Sequence, residues 1–466
     1  MADNDTFDRK ALLQMLPLLL ILVSGAFITI LNQTLLGTAL PVIMVDLDLS
    51  ESTVQWLQSI FMLVNGIMIP VTAFLIQRFS TRKLFMTAIG LFAFGTGLAA
   101  IAPSFTLLLI GRIFQGSGAG IMMPLLQTSM FLMFPVNRRG TAMGIFGLVI
   151  AFAPAIGPTL SGYLVESFHW RSVFYVIFPI AVINLIAAYF YLKNVTEQKD
   201  VRVDVLSIIL STIGFGGLLY GFSIAGNVGW INPQVGISLV VGGISLYVFI
   251  KRQLKLEQPM LEFRVFKNSI FTLSTGLGMI VFMSMIGTAI ILPLFMQNML
   301  GFTALESGLV LLPGAVVMGL FNPVTGRLFD LYGARYLAIG GFAILTITTY
   351  MFTNLTTETT FMYMAILNAV RMLSISMVMM PVTTSGLNQL PDDLIPHGSA
   401  MNNTFRQMAG AIGTAMLVTI MSTAANPSEG TQGLIDGVNM SFYVATVLAA
   451  LGFILSFYVK HPERRK

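Results

Sequence analysis

The chain of 466 residues has no cysteine and only three histidines. Without thiols it can form neither a disulfide framework nor a thiolate zinc site. His169, His397 and His461 are scattered, so no histidine cluster is in prospect, and neither a metal nor another cofactor is expected. Charge is scarce as well. Asp, Glu, Lys and Arg make up 10 % of the residues, against about a quarter in an ordinary soluble domain. No G-x-x-x-x-G-K-[ST] run occurs, which excludes a P-loop ATPase, and no nucleophile–base or metal constellation suggests an enzyme. What fills the chain is apolar. Hydrophobic residues reach 56 % and the mean hydropathy is +0.84, so lipid must solvate most of the surface.

Lipid tolerates no unpaired backbone, so long apolar runs have to be helices, and about 20 residues cross the hydrocarbon layer. Fourteen runs qualify, at 12–40, 53–76, 84–102, 105–133, 140–165, 171–192, 205–225, 233–251, 270–296, 304–327, 336–354, 359–386, 398–424 and 438–459. No small-residue cleavage site follows the first run, which is read as a retained helix. Positive residues test the count, because loops facing the cytoplasm should hold them. Of the 25 lysines and arginines, 21 fall in alternate loops and the two ends, from Arg9 and Lys10 to Lys460, Arg464, Arg465 and Lys466. Arg112, Arg371 and Arg406 lie inside spans, and only Arg171 flanks the other face. A multi-pass protein of the cell membrane with both termini in the cytoplasm is predicted. The basic residues then anchor the chain at anionic lipid, and no nucleic acid partner is expected.

One loop recurs. GRLFDLYGAR (Gly326 to Arg335) follows span 10, and AFLIQRFSTRK (Ala73 to Lys83) follows span 2. Such internal symmetry marks secondary transporters. It divides the chain into a six-helix half (1–192), an inserted pair with charged linkers (193–268) and a second six-helix half (269–466). A glycine turn with a carboxylate and arginines can latch helix ends; a plain anchored turn is the other reading. Arg78, Arg82, Gly326, Asp330, Gly333 and Arg335 are the latch candidates, with Asp330 expected to face Arg335.

With these residues on the page, the chain resembles the major facilitator superfamily, in its fourteen-helix drug/proton antiporter branch (EmrB/QacA type), and is similar to the lincomycin-resistance permeases. Gly326, Leu328, Asp330, Gly333 and Arg335 match the loop motif G-x-L-x-D-x-x-G-x-R. GRIFQGSGAG, with Arg112, Gln115, Gly116 and Gly118, resembles the span 4 motif, and LNQTLLGTALP resembles that of span 1. APAIGPTLSG, with Pro154, Gly157, Pro158 and Gly162, resembles the antiporter motif of span 5, and HWRSVFYVIFPI the opening of span 6. The resemblance implies an all-α, major-facilitator-type fold with pseudo-twofold halves (6 + 2 + 6). It also implies multidrug efflux by proton-coupled antiport, the halves rocking to alternate access. Two departures each remove a carboxylate: Asn32 stands where the branch has aspartate, and Gln77 does so in the first loop.

No acidic residue falls in the middle of a span. Proton coupling needs a titrating group, usually a desolvated carboxylate. Glu306 at the start of span 10 is the leading candidate, with an N-terminal helix-dipole partner in water as its other reading. Glu166 and His169 could titrate together, or simply pair at the interface. The three arginines are costly inside lipid and so mark the path or clamp helices. Asn32 lies at about the depth of Arg112 and can meet it. Arg406 shares a face with Asn402. Gln33 beside Asn32, the stripe Gln58, Met62 and Asn65 on span 2, and Gln115, Met122, Met123 and Gln127 on span 4 complete the candidate substrate contacts.

Small amphiphilic molecules, protons and membrane lipid are the expected partners of a monomer. Export of lipid or cell-envelope precursors is an alternative, and so is a ligand-binding sensor that moves nothing. Three arginines without a central carboxylate favour neutral, zwitterionic, weakly basic or anionic cargo. Like charges 6 Å apart repel by roughly 3 kcal/mol at an effective dielectric near 20, about a hundredfold in affinity, so permanent dications are disfavoured. Reporters placed after Lys466 and within 193–204 should both read cytoplasm. An external signal from either would overturn the helix count.

Overall fold

The computed structural model describes residues 9–196 and 198–459. The basic tail, with Lys460, His461, Arg464, Arg465 and Lys466, lies outside them. Fourteen long helices follow one another, with no strand among the described residues. They are α1 (Arg9–Asp46), α2 (Glu51–Arg78), α3 (Thr81–Ala100), α4 (Phe105–Met133), α5 (Arg139–Ser167), α6 (Ser172–Tyr191), α7 (Val205–Val228), α8 (Pro233–Lys255), α9 (Ser269–Asn298), α10 (Ala304–Tyr332), α11 (Ala334–Met351), α12 (Phe361–Leu387), α13 (Ile395–Ala424) and α14 (Gly430–Ser456). All fourteen are long and apolar enough to span a membrane, so the expected count holds. Two ends differ: α1 carries its apolar run on to Asp46, and largely polar turns start α14 at Gly430 rather than 438.

The short loops carry the start signals. Ser50, Ser80, Asn268 and Thr360 each accept a hydrogen bond from a backbone N–H in the first turn of the helix that follows. Asn232 does the same with Pro233 at the first helical position. These caps satisfy donors that a helix cannot pair internally.

The helices form two compact units. The first holds the chain up to Met133 with Ile156–Arg202, the second Phe134–Ala155 with everything from Val203 on. In the first, α4 packs on α2 and α3, α6 on α3, and α1 on α4 and α6. The second repeats the scheme: α12 on α10 and α11, α14 on α11, and α9 on α12 and α14. Small residues set the close approach in α4. A Cβ at Gly116 would sit 2.8 Å from the Phe61 carbonyl, and one at Gly118 would overlap that of Ala88. Outward faces carry bare apolar groups such as Ile183, Phe190, Ile237 and Leu331, the pattern lipid requires.

Helices α7 and α8 pair with each other, and α7 also packs on α13. A polar clasp closes one end of the pair. Asp204 caps α7 through Ser207 N, and its oxygens accept from Arg252 Nε at 3.0 Å and Nη2 at 3.1 Å. Burial disfavours the Asp204 carboxylate, but its bonds from Arg252 and Ser207 outweigh that and hold the carboxyl below its ordinary value. Such a group adds stability in full above its ordinary pKa, lost as pH falls through the lowered one. Asp204→Asn should therefore destabilise the detergent-purified protein by about 1 kcal/mol at pH 7. The difference from wild type should vanish in thermal unfolding scans taken below the carboxylate range; a difference that persists there would refute this account.

Candidate functional site

Arg112 is fully buried on α4, with oxygens of α1, α2 and α4 itself turned toward it. Its Nε donates to the Leu57 carbonyl at 3.0 Å, and its Nη1 to Asn32 Oδ1 at 2.6 Å and Gln115 Oε1 at 2.8 Å. Gln115 in turn donates to Thr96 Oγ1 of α3 at 2.9 Å. The guanidinium lies over the Phe61 ring, 4.3 Å from its centroid. Every one of these partners is neutral. Arg112 Nη2 and Asn32 Nδ2 have no hydrogen-bond partner. The structure thus brings Asn32 and Arg112 together, as their depth suggested, without neutralising the charge.

The second unit contains a counterpart. Arg371 of α12, also fully buried, donates through Nη2 to the Ser284 carbonyl and hydroxyl of α9 at 2.6 and 2.7 Å, and through Nε to Thr349 Oγ1 of α11 at 3.3 Å. Arg112 on α4 is thus tied to α1 and, through Gln115, to α3, as Arg371 on α12 is to α9 and α11. Sequence reasoning missed Thr96, Ser284 and Thr349, although a signal was there. Thr96 stands fourteen residues after Arg82 and Thr349 fourteen after Arg335; Asn32 precedes Pro41 by nine and Ser284 precedes Pro293 by nine. The arginines themselves are two residues out of register against Pro124 and Pro381, which hides the repeat from a direct alignment.

Arg406 on α13 is 4 % exposed. Among the described residues its guanidinium has a ring contact with Phe282, 4.9 Å to the centroid, and a weak hydrogen bond to Met379 Sδ at 3.8 Å from Nη2. Asn402, one turn earlier on the same face, has its amide oxygen unpaired. Along the other predicted stripes, Gln58 and Asn65 each hold an amide oxygen without a partner. Gln33 and Met123 are half-buried, Met122 and Gln127 buried, and Met62 exposed. Asn322 of α10 and Asn368 of α12, which the sequence gave no reason to single out, are fully buried with both amide atoms unpaired.

The loop motif does different work from the expected pairing. Asp330 does not face Arg335; it reaches the start of α5. There it accepts from Gly140 N and Thr141 N, both at 2.8 Å, and from the Thr141 hydroxyl at 2.6 Å. Two free amides at a helix N-terminus are a better match for a carboxylate than a flexible arginine in water. Gly326 makes room for this contact, since a Cβ there would overlap the Gly140 carbonyl. Gly333, at φ 77°, turns the chain from α10 into α11. Arg139 adds bonds from α5 to Asn388 at 3.3 Å and Asp392 at 3.2 Å. In the first unit the counterpart arginines bind elsewhere: Arg78 donates to the Val201 carbonyl of the linker at 3.1 Å, and Arg82 to that of Tyr189 in the last turn of α6.

The remaining candidates separate. Glu306 is exposed and forms a capping box with Thr303, whose amide and hydroxyl it accepts at 2.8 and 2.9 Å. This is the second of its two readings. His169 does not pair with Glu166, which is exposed; its imidazole lies 3.8 Å from Asp46, which also accepts from the Trp170 indole at 2.8 Å and Arg171 at 3.4 Å. Glu166 sits one turn back on α5 and points elsewhere, whereas the end of α1 brings Asp46 to the His–Trp–Arg corner. In the span 5 motif, Gly157 allows contact with Thr34 of α1, where a Cβ would meet the hydroxyl, while Gly162 borders open space. Pro154 and Pro158 lie within α5.

The Major Facilitator Superfamily model matches residues 22–414. The "uncharacterized MFS-type transporter YcnB" of Bacillus subtilis (strain 168) is 55 % identical over 447 residues, 95 % of each chain. Lincomycin resistance protein LmrB of the same organism is 44 % identical over 463 residues, 97 % of each. Among solved structures, the human organic anion transporter MFSD10 superposes with a TM-score of 0.70 at 12 % identity, covering 94 % of this chain and 99 % of that one. At that identity the likeness concerns the fold.

Asn32→Asp should place a carboxylate within 3 Å of Arg112, as the 2.6 Å amide contact indicates. The variant should be at least as stable as wild type, because an uncompensated buried charge gains a partner. Competition binding should show affinity moving toward cations by about tenfold relative to neutral analogues. An unchanged ratio would remove this pair from ligand selection.

Proposed function

The chain belongs to the major facilitator superfamily, and from that membership we propose that it exports small amphiphilic molecules, drugs among them, by alternating access. The coarse part is settled by family: it is a multi-pass membrane transporter. The observation that carries the finer reading is the Asp330 contact between α10 and the start of α5. Hydrogen bonds to an ionised acceptor are each worth about 1.5–3 kcal/mol when sheltered and less near water. A few such bonds hold one arrangement firmly yet can be exchanged for water when the helix ends part. That is the behaviour a cytoplasmic latch needs. Gly326 and Gly140 supply the close approach, and Arg139 adds a second tie, so the closed arrangement is defined by geometry rather than by apolar burial.

The cargo contacts in this reading are the polar groups around Arg112 in the first unit. Relatives named for lincomycin resistance and multidrug export support drug-like cargo, and their branch supports proton-coupled antiport as the drive for neutral and weakly basic compounds. Reconstituted into vesicles with an imposed pH gradient, the protein should accumulate lincomycin against its gradient and move protons the other way. Asp330→Asn should leave lincomycin binding within about twofold and slow turnover about tenfold, matching a loss of about 1–2 kcal/mol from the latched state. Loss of binding in a folded variant would refute the latch, and absence of any drug flux in wild type would refute the export reading.

A further inference from the structure

Of Arg112, Arg371 and Arg406, the last has by far the fewest partners. Arg112 and Arg371 each donate three hydrogen bonds to oxygen. Arg406 donates none; its Nε and Nη1 are buried without a protein partner, and Nη2 touches only a thioether. It lies about 17 Å along α13 from Ile395 and farther still from Ala424, so it sits deep in the span. Leaving a guanidinium so placed is expensive unless something anionic completes it. The surroundings describe that something: an aromatic face at Phe282, a deformable thioether at Met379, and the unpaired amide oxygen of Asn402 one turn away. An anionic head would take the guanidinium, an adjacent N–H or O–H the amide oxygen, and an aromatic body the apolar wall.

We propose that Arg406 is the binding site for monoanionic amphiphiles, carboxylates or sulfonates on an apolar body, and that the membrane potential alone drives their export. The proposal rests on the amphiphile-export reading and deepens it. Charge bookkeeping gives the drive. The loaded site is neutral and the empty site carries one positive charge, so each cycle sends one negative charge outward. In a cell negative inside this runs downhill electrically. No proton has to return, which fits spans whose acidic residues all lie near helix ends.

The test uses two probes that differ by one charged group, 8-anilinonaphthalene-1-sulfonate and the uncharged N-phenyl-1-naphthylamine. The full chain in vesicles, at equal pH on both sides, receives a potassium gradient clamped with valinomycin; protein-free vesicles correct for leak and partitioning. A tenfold potassium gradient should set up about a tenfold sulfonate gradient, the ratio for one charge, with the same value at pH 6 and pH 8. The neutral probe, which the export reading exchanges for a proton, should answer to an imposed pH gradient at zero potential, and the sulfonate should not. Arg406→Gln should lower sulfonate flux at least tenfold relative to that of the neutral probe, and Arg406→Lys should recover part of that selectivity. A sulfonate flux indifferent to potential overturns the proposal. So does one unaffected by Arg406→Gln, and so does a hundredfold gradient, which means two charges per cycle and a returning proton. If the neutral probe moves and the sulfonate does not, only this proposal fails. If wild type moves neither, the amphiphile-export reading fails with it. Should Arg406→Gln not fold, the potential dependence of wild type and the Arg406→Lys comparison decide.

Discussion

A guanidinium charge inside a lipid-solvated bundle is the constraint around which the rest is arranged. Arg112 cannot shed its proton at any ordinary pH, so neighbouring helices must bring it oxygen. Asn32, the Leu57 carbonyl and Gln115 do so, and Gln115 passes the connection to Thr96. One side chain thereby fixes the spacing of α1, α2, α3 and α4. The glycines of α4 follow from the same need, since helices that must present carbonyls to one arginine have to approach at backbone distance. Arg371 imposes the equivalent arrangement on α9, α11 and α12 with smaller partners, serine and threonine.

What the arginines lack is as informative as what they hold. Neutral oxygens orient a guanidinium and reduce its desolvation cost, but they leave the field of a full positive charge in a medium that screens poorly. A site built this way discriminates by sign before it discriminates by shape. Arg406 takes this furthest, because an aromatic ring and a thioether give it even less than amides would. Met and Phe at that wall also explain how one site can serve varied bodies, since both adapt to apolar shapes at little cost.

Movement calls for the opposite chemistry. In the proposed latch Asp330 is only half-buried where it meets the start of α5, so its bonds can be exchanged for water when the helix ends part. The clasp of Asp204 on Arg252 also uses a carboxylate, here on a cation rather than on amides, for a static purpose, holding α7 to α8. Location separates the two roles: the clasp lies within one helix pair, and the Asp330 contact joins the ends of two helices far apart in the chain.

The sequence by itself determined the class of the molecule: fourteen helices, membrane solvation, family and the residues that would be buried at cost. Those properties are one-dimensional, because the length of an apolar run and the price of a charge in lipid do not depend on which helix is next door. The depth argument that joined Asn32 to Arg112 worked for the same reason, since rise per residue converts position into depth. Partners were another matter. Asp330 was matched to Arg335, its neighbour in the motif, and His169 to Glu166; the folded chain gives them the α5 amides and Asp46 instead. Backbone N–H groups leave no mark in a sequence, and a partner more than a hundred residues away is selected by helix packing. Thr96, Ser284 and Thr349 were ordinary apolar-span residues until tertiary structure placed them against an arginine. Only the packed bundle decides which of several buried polar groups meet, because hydrogen bonds act over about 3 Å and sequence position constrains distance across a helical bundle only along the helix axis.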